Sequence, residues 1–208
     1  AAFFFLYNIL AATANLSSLF GNLSYLFMLI VPLLTMRLFS EERKQKTDQL
    51  FYCAPVTLWS VVLGKFLAAV GVLGVSLAGT GLYLVILSRY TTLAVGSLMA
   101  HYLAFALLGA CYIAVGLFMS TLTDSQITAA VLALAANMLL QLGEMSSANT
   151  VSPYLPFLPA LMKCIALNQH YAQIASGVFY PTDVGYFIAF AAVFLCASVG
   201  VLAGRKRR

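Results

Sequence analysis

The sequence predicts an all-α polytopic membrane protein, a bundle of six transmembrane helices whose first helix is cut short. Hydrophobic residues make up 62% of the 208 residues. Charged residues make up 8%, against roughly 25% in a soluble domain. The apolar residues also fall in several long runs, and a helix needs about 20 of them to cross a hydrocarbon core of about 30 Å. Strands of a membrane barrel would instead alternate polar and apolar residues. The chain reads as one domain, 1–208, with a polar loop at about 37–57 and an external segment at about 144–183.

The opening run, Ala1 to Leu10, is apolar but only about half the length of a span, and it has neither an initiator Met nor the basic flank of a signal peptide. It reads as the outer half of a first span, so the natural chain is expected to extend further at its N-terminus. Five full spans follow: Phe20–Met36, Leu58–Ser88, Gly96–Met119, Ser125–Gly143 and Val184–Leu202. Pro32 should kink the first of these. The run from Leu58 would measure about 46 Å at 1.5 Å per residue, which places Lys65 in the inner interface with its ammonium in water. Small residues recur at packing intervals in Gly71 with Gly74, Gly116 with Ser120 and Ala129 with Ala133, where backbones can approach closely.

The segment from Ser146 to Asp183 is too polar and too rich in proline (Pro153, Pro156, Pro159, Pro181) to span. Within it, Ala160–Ser176 has helical spacing, with Leu161, Ile165, Ala172 and Ala175 on one side, Lys163, Gln169, His170 and Gln173 elsewhere, and Gly177 as C-cap. Its apolar side suits a helix resting on the membrane surface.

Orientation follows from the asymmetry of Lys and Arg. Arg37, Arg43, Lys44 and Lys46 share one loop, and Arg205, Lys206, Arg207 and Arg208 form the tail, leaving Arg89 and Lys163 for the other face. Loop and C-terminus are therefore predicted to be cytoplasmic.

The net charge of +5 does not point to nucleic acid, because the basic residues flank apolar runs without aromatic interleaving. The histidines His101 and His170 are far apart, and there is no HExxH and no GxSxG elbow. The phosphate-cradling GxxxxGK[ST] is absent as well: before and after Gly64-Lys65 stand Trp59 and Phe66 where a glycine and a hydroxyl belong. No catalytic residue is assigned, and this chain is not read as an ATP-hydrolysing enzyme. The four cysteines, Cys53, Cys111, Cys164 and Cys196, lack metal or disulfide spacing, and Cys111 and Cys196 read as small apolar filler. Cys164 with His170 would give a metal two ligands and no third, so no metal is expected. The span interiors carry no Asp, Glu or Arg, which argues against a secondary transporter.

The most informative polar block runs from Arg37 to Pro55. Its first part, Arg37 to Lys46, is explained as a solvated charged loop. The second part is not: Thr47 can N-cap a short helix with Asp48 in its first turn, Leu50, Phe51 and Tyr52 give it an apolar surface, and Pro55 ends it. Clustered exposed apolar side chains mark a partner surface. Thr57 then caps the span from Leu58.

The runs Leu33–Leu50 and Ala54–Ala69, together with Gly116–Gln126 and His170–Phe187, resemble the permease subunit of type-2 ABC (ATP-binding-cassette) transporters, with the gliding-motility permeases as the most similar branch. The resemblance implies six membrane helices and pairing with a second permease, identical or homologous. It also implies two separate ABC ATPase subunits, which would bind ATP and Mg, docked on a coupling helix at about Lys46–Cys53. The residues so implicated are Glu41, Glu42, Arg43, Lys46, Thr47, Asp48, Gln49, Leu50 and Phe51. The external segment would then resemble short helices closing the outer end of the pathway. The family's amphipathic helix before the first span has no counterpart here.

Two functions fit this reading. One is the permease of an ABC exporter in the cell membrane, in which the ATPases push on the loop from Glu41 to Pro55 and open a path between two permeases. The other is a membrane scaffold or sensor that recruits an ATPase without transport. The substrate, and the residues that bind it, are not legible: Leu, Ala, Val and Phe suit a lipid, a lipid-linked glycan, a hydrophobic peptide or a drug equally.

Overall fold

The computed structural model describes residues 16–46, 57–87, 95–145, 167–175 and 181–206. These form seven helices: α1 (Leu16–Thr35), α2 (Arg37–Lys44), α3 (Leu58–Leu87), α4 (Val95–Leu122), α5 (Gln126–Met145), α6 (Leu167–Ala175) and α7 (Pro181–Lys206). No strand occurs among the described residues. Among the described residues, four segments are long and apolar enough to cross a membrane: Leu23–Lys44, Leu58–Gly81, Leu98–Leu122 and Pro181–Arg205. The predicted span from Ser125 is the helix α5, whose described apolar stretch, Gln126–Gln141, is shorter. The expected first span lies outside the described residues.

Helix α4 is the hub and packs against each of the other six. Its glycines explain the close packing. A Cβ on Gly116 would overlap the Thr35 hydroxyl and lie 2.9 Å from Thr35 Cβ, so α1 and α4 touch there almost backbone to backbone. A Cβ on Gly109 would overlap a Leu73 methyl of α3. Thr35 is fully buried, and its hydroxyl is satisfied within its own helix by the Val31 carbonyl at 3.0 Å. Ala129 and Ala133 of α5 are likewise fully buried. Gly71 and Gly74 of α3, by contrast, have no atom within 4 Å of where a Cβ would stand. Close approach matters because, between helices in lipid, packing rather than water exclusion drives association.

The main core gathers Phe105, Leu108 and Tyr112 of α4, Phe187 of α7, and Leu167 and Ile174 of α6. A smaller cluster at the other end joins Phe39, Val62, Leu117, Leu195 and Leu202. Inside the bundle, the Tyr112 hydroxyl donates to Gln141 Oε1 at 2.8 Å, tying α4 to α5.

Several expectations are corrected. Arg37–Lys46 is not a solvated loop, because α2 occupies Arg37–Lys44 and buries Phe39 and Ser40. Sequence reading followed the charges and overlooked that Leu38 and Phe39 give this short helix an apolar side facing α4. Helix α1 continues through Pro32 to Thr35, and Met36 keeps helical angles (φ −55, ψ −31) with its N–H on the Pro32 carbonyl at 2.9 Å. Helix α6 turns a different side to the bundle from the one expected to be apolar. Leu167, Tyr171 and Ile174 are buried against α4, α5 and α7, whereas Ala172, assigned to the apolar side, is exposed. Leu161, Lys163, Ile165 and Gly177 lie outside the described residues. Cys111 is buried as expected, but Cys196 faces outward.

Candidate functional site

The segment Arg37–Lys46 follows directly on α1, and its polar groups are used to anchor it. Ser120 of α4 accepts hydrogen bonds from the N–H groups of Phe39 (3.1 Å) and Ser40 (3.2 Å) and donates to the Met36 carbonyl at 3.2 Å. One buried hydroxyl thereby satisfies the start of α2, where helical N–H groups have no partner of their own.

Lys65 of α3 holds the other side. Its ammonium pairs with Glu42 Oε1 at 2.6 Å, donates to the Leu38 carbonyl and sits 4.6 Å from the centre of the Phe39 ring. The Lys65 side chain is 18% exposed, so the expectation of a water-solvated ammonium is corrected: a carboxylate, a carbonyl and an aromatic face take the place of water.

Arg43 reaches the turn that follows α4. Its guanidinium donates to the carbonyls of Thr121 (2.8 Å) and Thr123 (3.2 Å) and pairs with Asp124 Oδ1 at 2.5 Å. Arg205 of α7 approaches the same carboxylate at 3.8 Å and donates to the Leu122 carbonyl at 3.1 Å. The turn from α4 to α5 is thus gripped by two arginines far apart in sequence.

Of the implicated residues, Glu41, Glu42 and Arg43 lie on α2 and are half-buried, while Lys46 is exposed with φ of 58°, a left-handed conformation that turns the chain sharply away from the helix. Thr47, Asp48, Gln49, Leu50 and Phe51 lie outside the described residues. Thr57 caps α3 as expected, accepting from the Ser60 N–H at 3.3 Å. Sequence reading missed Ser120, Asp124 and Arg205 as parts of this site. The available signal was topological: alternating crossings bring the turn at Asp124 and the tail to the end that holds Arg43.

The opposite end carries one further polar cluster. His170 Nδ1 meets Asp183 Oδ1 at 2.8 Å, and the imidazole stacks on Tyr186 with ring centres 4.3 Å apart. Asp183 sits in the first turn of α7, where a carboxylate is favoured by the helix dipole. Burial raises the pKa of the nearby Tyr171 phenol, and the Ser24 hydroxyl opposes that shift. Cys164, the imagined second metal ligand beside His170, lies outside the described residues. Among the described residues no three His, Cys, Asp or Glu side chains come together.

No curated protein and no solved structure matches this chain significantly. A family described as ABC-2 family transporter protein does match, over residues 22–202, which takes in every described helix except the first turns of α1 and the last residues of α7. That match covers most of the chain, whose described residues are helical and include four apolar spans, and it establishes that the protein belongs to the ABC-2 transporter family, as a multi-pass membrane component of such a transporter.

Proposed function

We propose that this chain is the permease of an ATP-binding-cassette exporter in the cell membrane, working as a dimer with an identical or homologous permease and driven by two separate ATPase subunits. The loop and the C-terminus face the cytoplasm. The observation that carries this reading is the docking of α2 across the ends of α3 and α4, directly before the segment that the sequence assigns to coupling. A loop meant only to join two spans needs no such anchorage. One built to receive a push must be fixed to the helices it moves.

In this reading the helix at about Lys46–Cys53 enters a groove of the ATPase through Leu50 and Phe51. ATP-driven closure then displaces α2 together with the spans on either side. ATP and Mg belong to the partner, whose charged nucleotide this chain never touches. The sequence resemblance to the gliding-motility permeases belongs to this reading, and the transported molecule is of a kind that apolar spans accept.

The test is co-purification of the ATPase. Leu50→Asp or Phe51→Asp would bury an unpaired charge in the partner's groove, at a cost of several kcal/mol, and should weaken the complex about a hundredfold or more. Lys44→Ala removes an exposed charge and should leave the complex intact. Full retention of the ATPase by both Asp variants would show that the loop does not dock it. An ATPase retained by a complex that moves nothing would favour the scaffold.

A further inference from the structure

Helix α4 ends in an unusual way. The carbonyls of a helix's last turn lack partners within the helix, and a glycine just beyond the end commonly lets the chain satisfy them locally. The sequence Thr121-Leu122-Thr123-Asp124-Ser125 contains no glycine. The carbonyls of Thr121, Leu122 and Thr123 are taken instead by Arg43 and Arg205, from elements about 80 residues away on either side. The two guanidinium groups also place positive charge at the helix C-terminus, where the dipole favours it.

The geometry points to Arg43 as a positioning residue that transmits displacement of the loop to the α4–α5 turn and, through Asp124 and Arg205, to α7. This rests on reading the chain as an ATPase-driven permease. A local cap would satisfy the same carbonyls without linking anything. Arg43 lies three residues before Lys46, its side chain is only 10% exposed, and its planar fork reaches two carbonyls and a carboxylate at once. A lysine would supply the charge without the fork. Asp124, 74% exposed, is the shared anchor for both arginines. A push on the loop therefore moves α2, the start of α5 and the end of α7 as one body.

The experiment uses the assembled complex of full-length permease with the ATPase that co-purifies with it, reconstituted in lipid. Two quantities are measured: ATPase bound per permease, and permease-stimulated ATP hydrolysis. Arg43→Gln should leave the ATPase bound while stimulation falls about tenfold, within the usual range for coupling between linked sites. Arg43→Lys should fall in between. Asp124→Asn should lower stimulation in the same direction, and the double variant should be no worse than Arg43→Gln, the non-additivity expected of one pathway. Where Arg43→Gln does not accumulate, Asp124→Asn carries the test, since its side chain faces solvent. Unchanged stimulation, additive losses, or stimulation and bound ATPase falling together would overturn the role of Arg43 and leave the permease reading standing. A wild-type chain that binds no ATPase would overturn both.

Discussion

Helices α3 and α4 are nearly the same by composition and opposite in use. They have 30 and 28 residues, their spanning segments share a mean hydropathy of 2.1, and each carries several glycines. Yet 67% of the α4 span is buried inside the bundle and only 17% of the α3 span is. Along α4, Gly116 meets Thr35 and Gly109 meets Leu73, and Gly96, in the first turn, stands open. Along α3 the glycines at 64, 71, 74, 79 and 81 meet nothing within 4 Å, and Leu67, Val72 and Val75 are exposed beside them. Hydropathy says that a helix lies in lipid. Which helix lies at the centre is decided by where glycines face a neighbour.

That difference can be broken directly. Gly116→Leu drives a side chain into Thr35, on a backbone that cannot withdraw, and should destabilise the fold by about 3 kcal/mol. Thermal unfolding of the purified protein in detergent would measure it, and an unchanged midpoint would show that α1 and α4 are not in contact there.

Asn137 sharpens the comparison from α5. It is fully buried, and among the described residues neither its amide nitrogen nor its oxygen finds a partner. An unpaired buried amide is costly, so Asn137→Leu should raise stability by about 1 kcal/mol in the same assay. A loss would mean that the amide serves a partner beyond the described residues, such as a second chain or a transported molecule.

The smallest effect is expected at Gly71→Ala, within about 0.5 kcal/mol of zero, because its surroundings are open. If the same change weakens self-association measured by crosslinking in membranes, the open face of α3 is where a second copy sits.

These cases show what was legible in the sequence. The start of α3 at Leu58 was legible, since a long apolar run with Thr57 before it leaves little freedom. The packing roles of Gly116, Ser120, Ala129 and Ala133 were legible as spacing. Gly71 and Gly74 share that spacing and face nothing, so spacing alone does not choose. The candidate site was half visible: the family resemblance marked Glu41, Glu42 and Arg43, whose charges alone had read as a solvated loop. Lys65, Ser120, Asp124 and Arg205 join them only once the bundle closes, through contacts that no local pattern encodes. Helix α6 was visible as a period, but its buried side was misjudged because Tyr171 and Leu167 had not been counted as one stripe.

The burial of α6 has a consequence for how the protein is made. At nine residues it is about 14 Å long, less than half of what crossing the bilayer requires, so no insertion step can place it on its own. Its seat is formed by α4, α5 and α7, and α7 emerges from the ribosome after it. The seat of Leu167, Tyr171 and Ile174 is therefore complete only once the last span is in place. Substitutions on this stripe should leave insertion intact and leave the finished bundle open at that end.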